Sequence, residues 1–309
     1  MNMTFRLLLI CLVFPIAGFA QDVNPPGDGE KLVRLDTFTS GYVAPRPVDV
    51  WLPGPLTDTA RYPVLYMHDG QMLFDKNSTW NKQAWDVDDV ALNLIRTGKI
   101  SKFIIVAIPN SGPSRHPEYF PQQPFSQLRP AEKDTLVAQL RRAGRTRDGF
   151  TPCSDDYLKF IVEELKPYID SHFPTLPGRE HTFISGSSMG GLISVYAICE
   201  YPEVFGGAAC LSTHWPGSFT LKNNPFPGRM LKYLRKNLPD PATHKIYFDC
   251  GDQTLDSLYP GIQRRVDRIM TAKGFTAAQW MTKYFPGEDH SENAWNRRLH
   301  IPLEFLFGE

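Results

Sequence analysis

Ile184-Ser185-Gly186-Ser187-Ser188-Met189-Gly190-Gly191-Leu192 centres a serine in the pattern Gly-x-Ser-x-Gly. The lead-in, His181-Thr182-Phe183-Ile184, is β-branched and apolar and reads as a short buried strand. Leu192, Val195 and Tyr196 follow at helical spacing. Ser188 therefore stands at a strand-to-helix turn, the setting that a nucleophile elbow requires. Such a turn strains the serine backbone, and Gly186 and Gly190 remove the side chains that would clash. The helix N-terminus behind it favours developing negative charge.

Outward from this turn, the pattern alternates. Lys31–Ser40 and Arg46–Leu52 read as an antiparallel hairpin, and Tyr62–Met67 as a buried strand. Val87, Val90, Ala91, Leu94 and Ile95 mark one face of a helix. Phe103–Ile108 is an unbroken apolar run, as in a strand covered on both faces. A helix through Leu158, Ile161, Val162, Leu165 and Ile169, with a kink expected at Pro167, leads to the elbow strand, the fifth expected. Strands at Gly207–Leu211, His244–Cys250 and Gln279–Phe285 follow, with a helix over Ile262–Met270 and another from Glu292. This alternation predicts an α/β protein of α/β-hydrolase order, with a mostly parallel central sheet and helices on both faces. Residues 110–152, rich in proline and charge with one expected helix at Pro130–Arg142, break the alternation and read as a lid-like insertion. Phe120, Phe125 and Tyr119 are expected to give it an aromatic surface, and Arg115 and Glu118 to pair at its start.

The 309 residues suffice for one large domain, expected over 21–309. A hydrophobic content of 42%, a charged content of 21% and a net charge of zero point away from nucleic acid and from anionic membrane surfaces. Arg6, the apolar run Leu7–Phe14 and the small residues around Ala17-Gly18-Phe19-Ala20 have the order of a secretory signal. That run is short for a membrane span. Export, periplasmic or extracellular, with a mature start near Gln21 and a loose polar leader over 21–30, is the expectation. Cys153, Cys199, Cys210 and Cys250 then remain, as buried thiols or as disulfides. No spacing suggests zinc, and no cofactor is expected.

A nucleophilic serine needs an adjacent base. Among the later histidines, His244 begins a strand and His300 lies in the last helix. His290 follows the last strand in Pro286-Gly287-Glu288-Asp289-His290-Ser291-Glu292, the position expected of the base. His214, in Ser212-Thr213-His214-Trp215, is the weaker candidate; with Trp215 it reads as pocket lining. The acid should follow the strand ending at Cys250, where Asp252 and Asp256 compete. Asp256 is favoured because it lies farther along the loop, with Asp252 as a turn residue. Oxyanion donors are expected at the backbone of Met189 and, after the Tyr62–Met67 strand, of Gln71, with Gly70 allowing close approach.

The chain resembles the "Putative esterase" family of α/β-hydrolases, which includes esterase D-type, feruloyl, acetylxylan and enterochelin esterases and the mycolyltransferases. The likeness covers about 60–308. It rests on Leu65-Tyr66-Met67-His68-Asp69-Gly70-Gln71, Ile105-Val106-Ala107-Ile108-Pro109-Asn110, Arg115-His116-Pro117-Glu118-Tyr119, the elbow, and Gly287–Glu292 with Trp295. The resemblance implies a Ser188–His290–Asp256 triad and oxyanion donors at Gln71 and Met189. Substrate contacts are expected near Asp69, Gly70, Arg115 and Tyr119. Where members often carry Gly-Thr-Glu, this chain has Gly251-Asp252-Gln253, which leaves the acid open, down to a Ser–His pair alone. The expected activity is ester hydrolysis on acylated sugars, feruloyl esters or siderophore esters. Acyl transfer through the same residues and a non-catalytic binding module are the rivals. Oligomeric state is left open.

Overall fold

A computed structural model describes residues 20–23, 29–54 and 59–308. The signal reading of residues 1–20 falls outside them except for Ala20. Nine strands form one sheet in the order β1-β2-β3-β5-β4-β6-β7-β8-β9. They are β1 (Ala20–Val23), β2 (Lys31–Phe38), β3 (Arg46–Leu52), β4 (Val64–His68), β5 (Ile104–Ile108), β6 (Thr182–Ser187), β7 (Gly207–Leu211), β8 (Lys245–Cys250) and β9 (Trp280–Tyr284). Pairing is antiparallel from β1 through β3 to β5 and parallel from β5 to β9. The mostly parallel sheet and the α/β-hydrolase order are as expected. Residues 20–23 are not a loose leader: they pair with Leu32–Leu35 of β2. The elbow strand is therefore the sixth rather than the fifth.

The helices are α1 (Val87–Arg96), α2 (Arg115–Tyr119), α3 (Gln122–Ser126), α4 (Pro130–Arg142), α5 (Ser154–Lys159), α6 (Lys166–His172), α7 (Met189–Glu200), α8 (Phe226–Asn237), α9 (Pro260–Ala272), α10 (Glu292–Arg298) and α11 (His300–Phe307). A π-helical turn, Phe160–Leu165, joins α5 to α6 without a break, so Pro167 follows it inside one continuous helical run; a π-helical turn and a proline are both features at which helices kink. Alternate residues of the central strands serve two cores. Val64, Tyr66, Ile104, Val106 and Ile184 face the core that holds α7 and α8. Leu65, Met67, Ile105 and Ala107 face the one built with α1 and α11. This period of two is why the strands read as continuous apolar runs.

The insertion departs most from expectation. It holds three helices, α2 to α4, and its apolar side chains face inward. Tyr119 and Phe120 are fully buried and Phe125 nearly so. Phe120 packs on Phe226 of α8 at 4.4 Å and on Phe125 and Phe150 at 5.8 and 5.2 Å. Arg115 and Glu118 do not pair. Buried Glu118 binds buried Arg46 through two hydrogen bonds of 2.9 and 2.7 Å, and Arg115 binds Asp69. Helix α8 lies in a stretch left unassigned by the sequence reading, although Phe226, Met230, Tyr233 and Leu234 already form an apolar face.

Candidate active site

β5 lies on one side of β4 and β6 on the other, so the strand order reverses at β4. Crevices at such a switch point, beyond the carboxyl ends of the strands, receive ligands. Here the two carboxyl ends deliver Asp69 and Ser188. Both line a cleft of about 590 Å³, together with His290, His214, Arg115 and Trp295.

Ser188 has φ 59 and ψ −121, a strained conformation for a side-chain-bearing residue. The strain is held from both sides. Ser188 N–H donates to Leu211 O at 2.9 Å, and His214 N–H donates to Ser188 O at 3.0 Å. A Cβ on Gly186 would lie 2.9 Å from the Gly190 backbone, so the elbow closes only with glycine there. α7 begins at Met189, and the first N–H groups of a helix have no partner within it. The Met189 N–H is thus available at the serine.

The strand ends β8 and β9 carry the other two groups. Asp256 sits in the 3-10 turn Thr254–Leu258, fully buried, and its Oδ1 lies 2.5 Å from His290 Nδ1. The two loops are laced together: Asp252 and Gln253 N–H groups donate to Glu288 O, and His290 N–H donates to Thr254 Oγ1. A Cβ on Gly251 would meet Glu288 O at 2.1 Å, so only glycine permits this approach. Asp252 points elsewhere. Its oxygens accept from Tyr284 OH at 2.7 Å and Gly287 N–H at 2.9 Å, bonds that hold its carboxyl below the usual carboxylate range. It is a stay for the histidine loop, separate from the Asp256–His290 pair.

Gln71 occupies the 3-10 turn Gly70–Met72, where Gly70 packs directly on the Ala107–Ile108 backbone. Gln71 Oε1 accepts from Asn110 N–H at 3.0 Å. Asp69 accepts from Asn110 Nδ2 at 2.7 Å and from Arg115 at 2.7 and 2.6 Å. Arg115 therefore reaches the cleft already neutralised. Tyr119 and Trp215, expected as lining, stay behind it. Tyr119 OH accepts from Asp69 N–H at 3.3 Å, beneath Arg115. Trp215 is buried against Phe248, its indole N–H on Gln263 Oε1 at 2.9 Å. Gly70 likewise contributes backbone packing and no cleft surface.

His214 does line the cleft. Its Nδ1 lies 2.7 Å from Tyr259 OH, its Nε2 is buried without a partner, and burial drives its pKa well below the ordinary value. His116, beside it, is held to about 3, chiefly by burial, so neither imidazole is charged near neutral pH. Sequence reasoning missed Phe219 and Arg145, which stack at 5.0 Å on the cleft wall, and Trp80, 84% exposed on its rim. The Trp80 loop is tied to α10 by Asn81 Nδ2 donating to Glu292 Oε2 at 2.8 Å. None of these lies in a local motif. The four cysteines of the described residues are free thiols, three of them buried. No described helix is long and apolar enough to cross a membrane.

Residues 43–301 match the family model described as "Putative esterase". The endo-1,4-beta-xylanase/feruloyl esterase of Xylanibacter ruminicola is 26% identical over 254 residues, which are 80% of this chain and 26% of that protein. Among solved structures, a ferulic acid esterase superposes with a TM-score of 0.62 at 22% identity, covering 90% of this chain and 98% of its own. An IroE-like serine hydrolase from Shewanella oneidensis gives 0.65 at 20%, covering 90% and 80%. Both share the fold of this chain.

Proposed function

The chain belongs to the "Putative esterase" family and is a carboxylic ester hydrolase, and from that premise we propose that it works through an acyl-enzyme on Ser188, with His290 as base and Asp256 as acid. The observation that carries the proposal is the 2.5 Å contact of Asp256 with His290 Nδ1, in the cleft that Ser188 enters from its strained turn. A carboxylate on Nδ1 keeps the proton there and leaves Nε2 free to accept one. Ser188 Oγ attacks the ester carbonyl carbon while His290 takes its proton. The oxyanion accepts from the N–H groups of Gln71 and Met189. Collapse breaks the bond to the alcohol, which leaves with the proton from His290. Water, deprotonated by the same histidine, then releases the acid and restores Ser188.

The cleft walls suggest which esters fit. Phe219, Arg145 and His116 offer a flat, partly cationic face to an aromatic acyl group of the feruloyl kind, in keeping with the relatives' names. Trp80 stands on the cleft rim, beside the Asn81–Glu292 tie to α10, and offers a ring face to a sugar. Residues 1–20 have the order of a signal peptide, which supports an exported enzyme starting near Gln21. N-terminal sequencing from the native host checks this, and a retained Met1 contradicts it. The activity is tested with methyl ferulate and p-nitrophenyl acetate, with and without a serine-directed phosphonate and with a sugar acceptor present. Phosphonate-sensitive release of free acid is expected. Phosphonate-insensitive turnover contradicts the serine mechanism, and acyl sugar as main product would assign transfer.

A further inference from the structure

Behind the Asp256–His290 pair, a buried network determines where each proton can lie. Asp256 Oδ2 is 2.7 Å from Ser212 Oγ and accepts from Gly251 N–H at 2.6 Å. Ser212 Oγ is in turn 3.0 Å from Trp295 Nε1 and 2.8 Å from Arg298 Nη2. An indole N–H and a guanidinium N–H can only donate, and a serine hydroxyl has one hydrogen and two lone pairs. Both lone pairs of Ser212 are therefore taken. Its one hydrogen has a single destination, Asp256 Oδ2. That oxygen then holds two donors, and Oδ1 is left for His290 alone.

We infer that Ser212 is a positioning residue for catalysis: its hydroxyl, oriented by Trp295 and Arg298, sets the rotation of the Asp256 carboxylate and so the tautomer and basicity of His290. This rests on the triad reading above. The residue is built for the task. It follows β7 at φ 41, in the left-handed region that few side chains adopt, and its N–H donates to Asp249 Oδ1 at 2.9 Å. Arg298 is shared, since its Nη2 and Nε bind Asp249 at 2.9 and 3.1 Å and Nη2 reaches Asp256 at 4.0 Å. Two buried carboxyl groups thus share one buried guanidinium. The imidazolium that forms when His290 takes the proton of Ser188 arises beside this acidic pair. The resting network is arranged for the charge that develops, as electrostatic preorganisation requires.

The thiol, phenol and imidazole groups facing this cluster add no charge near neutral pH. Burial pushes the Cys250 thiol up to about 12 and raises the phenols of Tyr247 and Tyr259. His214 is held neutral. Asp289 is engaged by Ser291 Oγ at 2.6 Å, and Glu288 by Arg297.

The test is Ser212→Ala, with Ser212→Cys as a variant of similar size and weaker donation. Both are assayed on p-nitrophenyl acetate from pH 5 to 9, beside Ser188→Ala and with circular dichroism as a check on folding. Ser212 is fully buried and makes no part of the cleft wall, so KM should hold. In Ser212→Ala, kcat should fall on the order of 10- to 100-fold, by analogy with the range for hydrogen-bond partners that orient metal-binding histidines. The acid limb of kcat/KM should rise by about half a unit to one unit, because Oδ1 gains charge when Oδ2 loses a donor. Ser212→Cys should fall between, and it carries the test if the alanine variant does not fold. Folded variants with an unmoved acid limb and full kcat, or with a change in KM alone, overturn the inference. If Ser188→Ala stays active, it is the triad reading that fails.

Discussion

Replacing Asp256 by asparagine keeps the shape of the side chain but lets His290 adopt the wrong tautomer. The expected loss in kcat is up to about 10⁴-fold. Asp252→Asn should leave kcat nearly unchanged, because Asp252 binds Tyr284 and Gly287 and lies apart from His290. Steady-state kinetics on p-nitrophenyl acetate separates the two, and reversed magnitudes would give the acid role to Asp252. At this scale the sequence was most legible where the chemistry is local. Ser188 could be placed because a strand, two glycines and a helix surround it within ten residues. Asp256 and His290 could be narrowed to loops but not joined, since nothing in either segment encodes the 2.5 Å contact between them. Ser212 and Arg298 gave no signal of a role, because that depends on three elements converging behind the acid.

Among the elements, the insertion changes most between sequence and structure. Proline and charge made it read as a wall with an aromatic surface. Its aromatic residues instead seal it onto α8, a helix the sequence reading did not assign. The proline-rich spacing hid two short helices, and an aromatic residue in a loop carries no mark of which way it faces. Excising residues 122–147 should therefore unfold the protein, since Phe125, Leu128, Leu136 and Leu140 are core residues. Leu136→Ala should cost about 2–5 kcal/mol and Phe125→Ala about 3–5 kcal/mol in urea unfolding. Losses under 1 kcal/mol would mean that this layer is not a core. We assign specificity to the cleft wall, to which the insertion contributes His116 and Arg145. Arg145→Ala and Phe219→Ala should leave the unfolding midpoint in place and lower kcat/KM on methyl ferulate more than on p-nitrophenyl acetate. Equal losses on both esters would contradict that assignment.

For the molecule as a whole, the buried histidines lower stability in acid, and the carboxyl of Asp88, raised to about 7 chiefly by burial, works in the opposite sense. Burial holds His68 and His116 at about 3 and His214 far below its ordinary value. In the unfolded chain each would titrate near 6.5. Below that pH the unfolded state binds protons that the folded state refuses, so stability falls as pH drops from about 6.5 toward 3. Each such histidine contributes a slope of up to about 1.4 kcal/mol per pH unit within that window. Urea midpoints should be flat from pH 8 to 7 and fall steeply below 6, and His116→Gln should flatten the fall. A midpoint that holds to pH 5 would contradict the neutral burial of these side chains.

The central claim, that Ser188 is the nucleophile of a Ser–His–Asp triad, is tested most directly by mapping a covalent label. The protein is treated with a fluorophosphonate, digested and sequenced by mass spectrometry, beside the Ser188→Ala and His290→Ala variants. The account predicts one adduct, on the Ser188 peptide. It predicts none in Ser188→Ala and labelling slowed by several orders of magnitude in His290→Ala. An adduct on another residue, or undiminished labelling of Ser188→Ala, would contradict it.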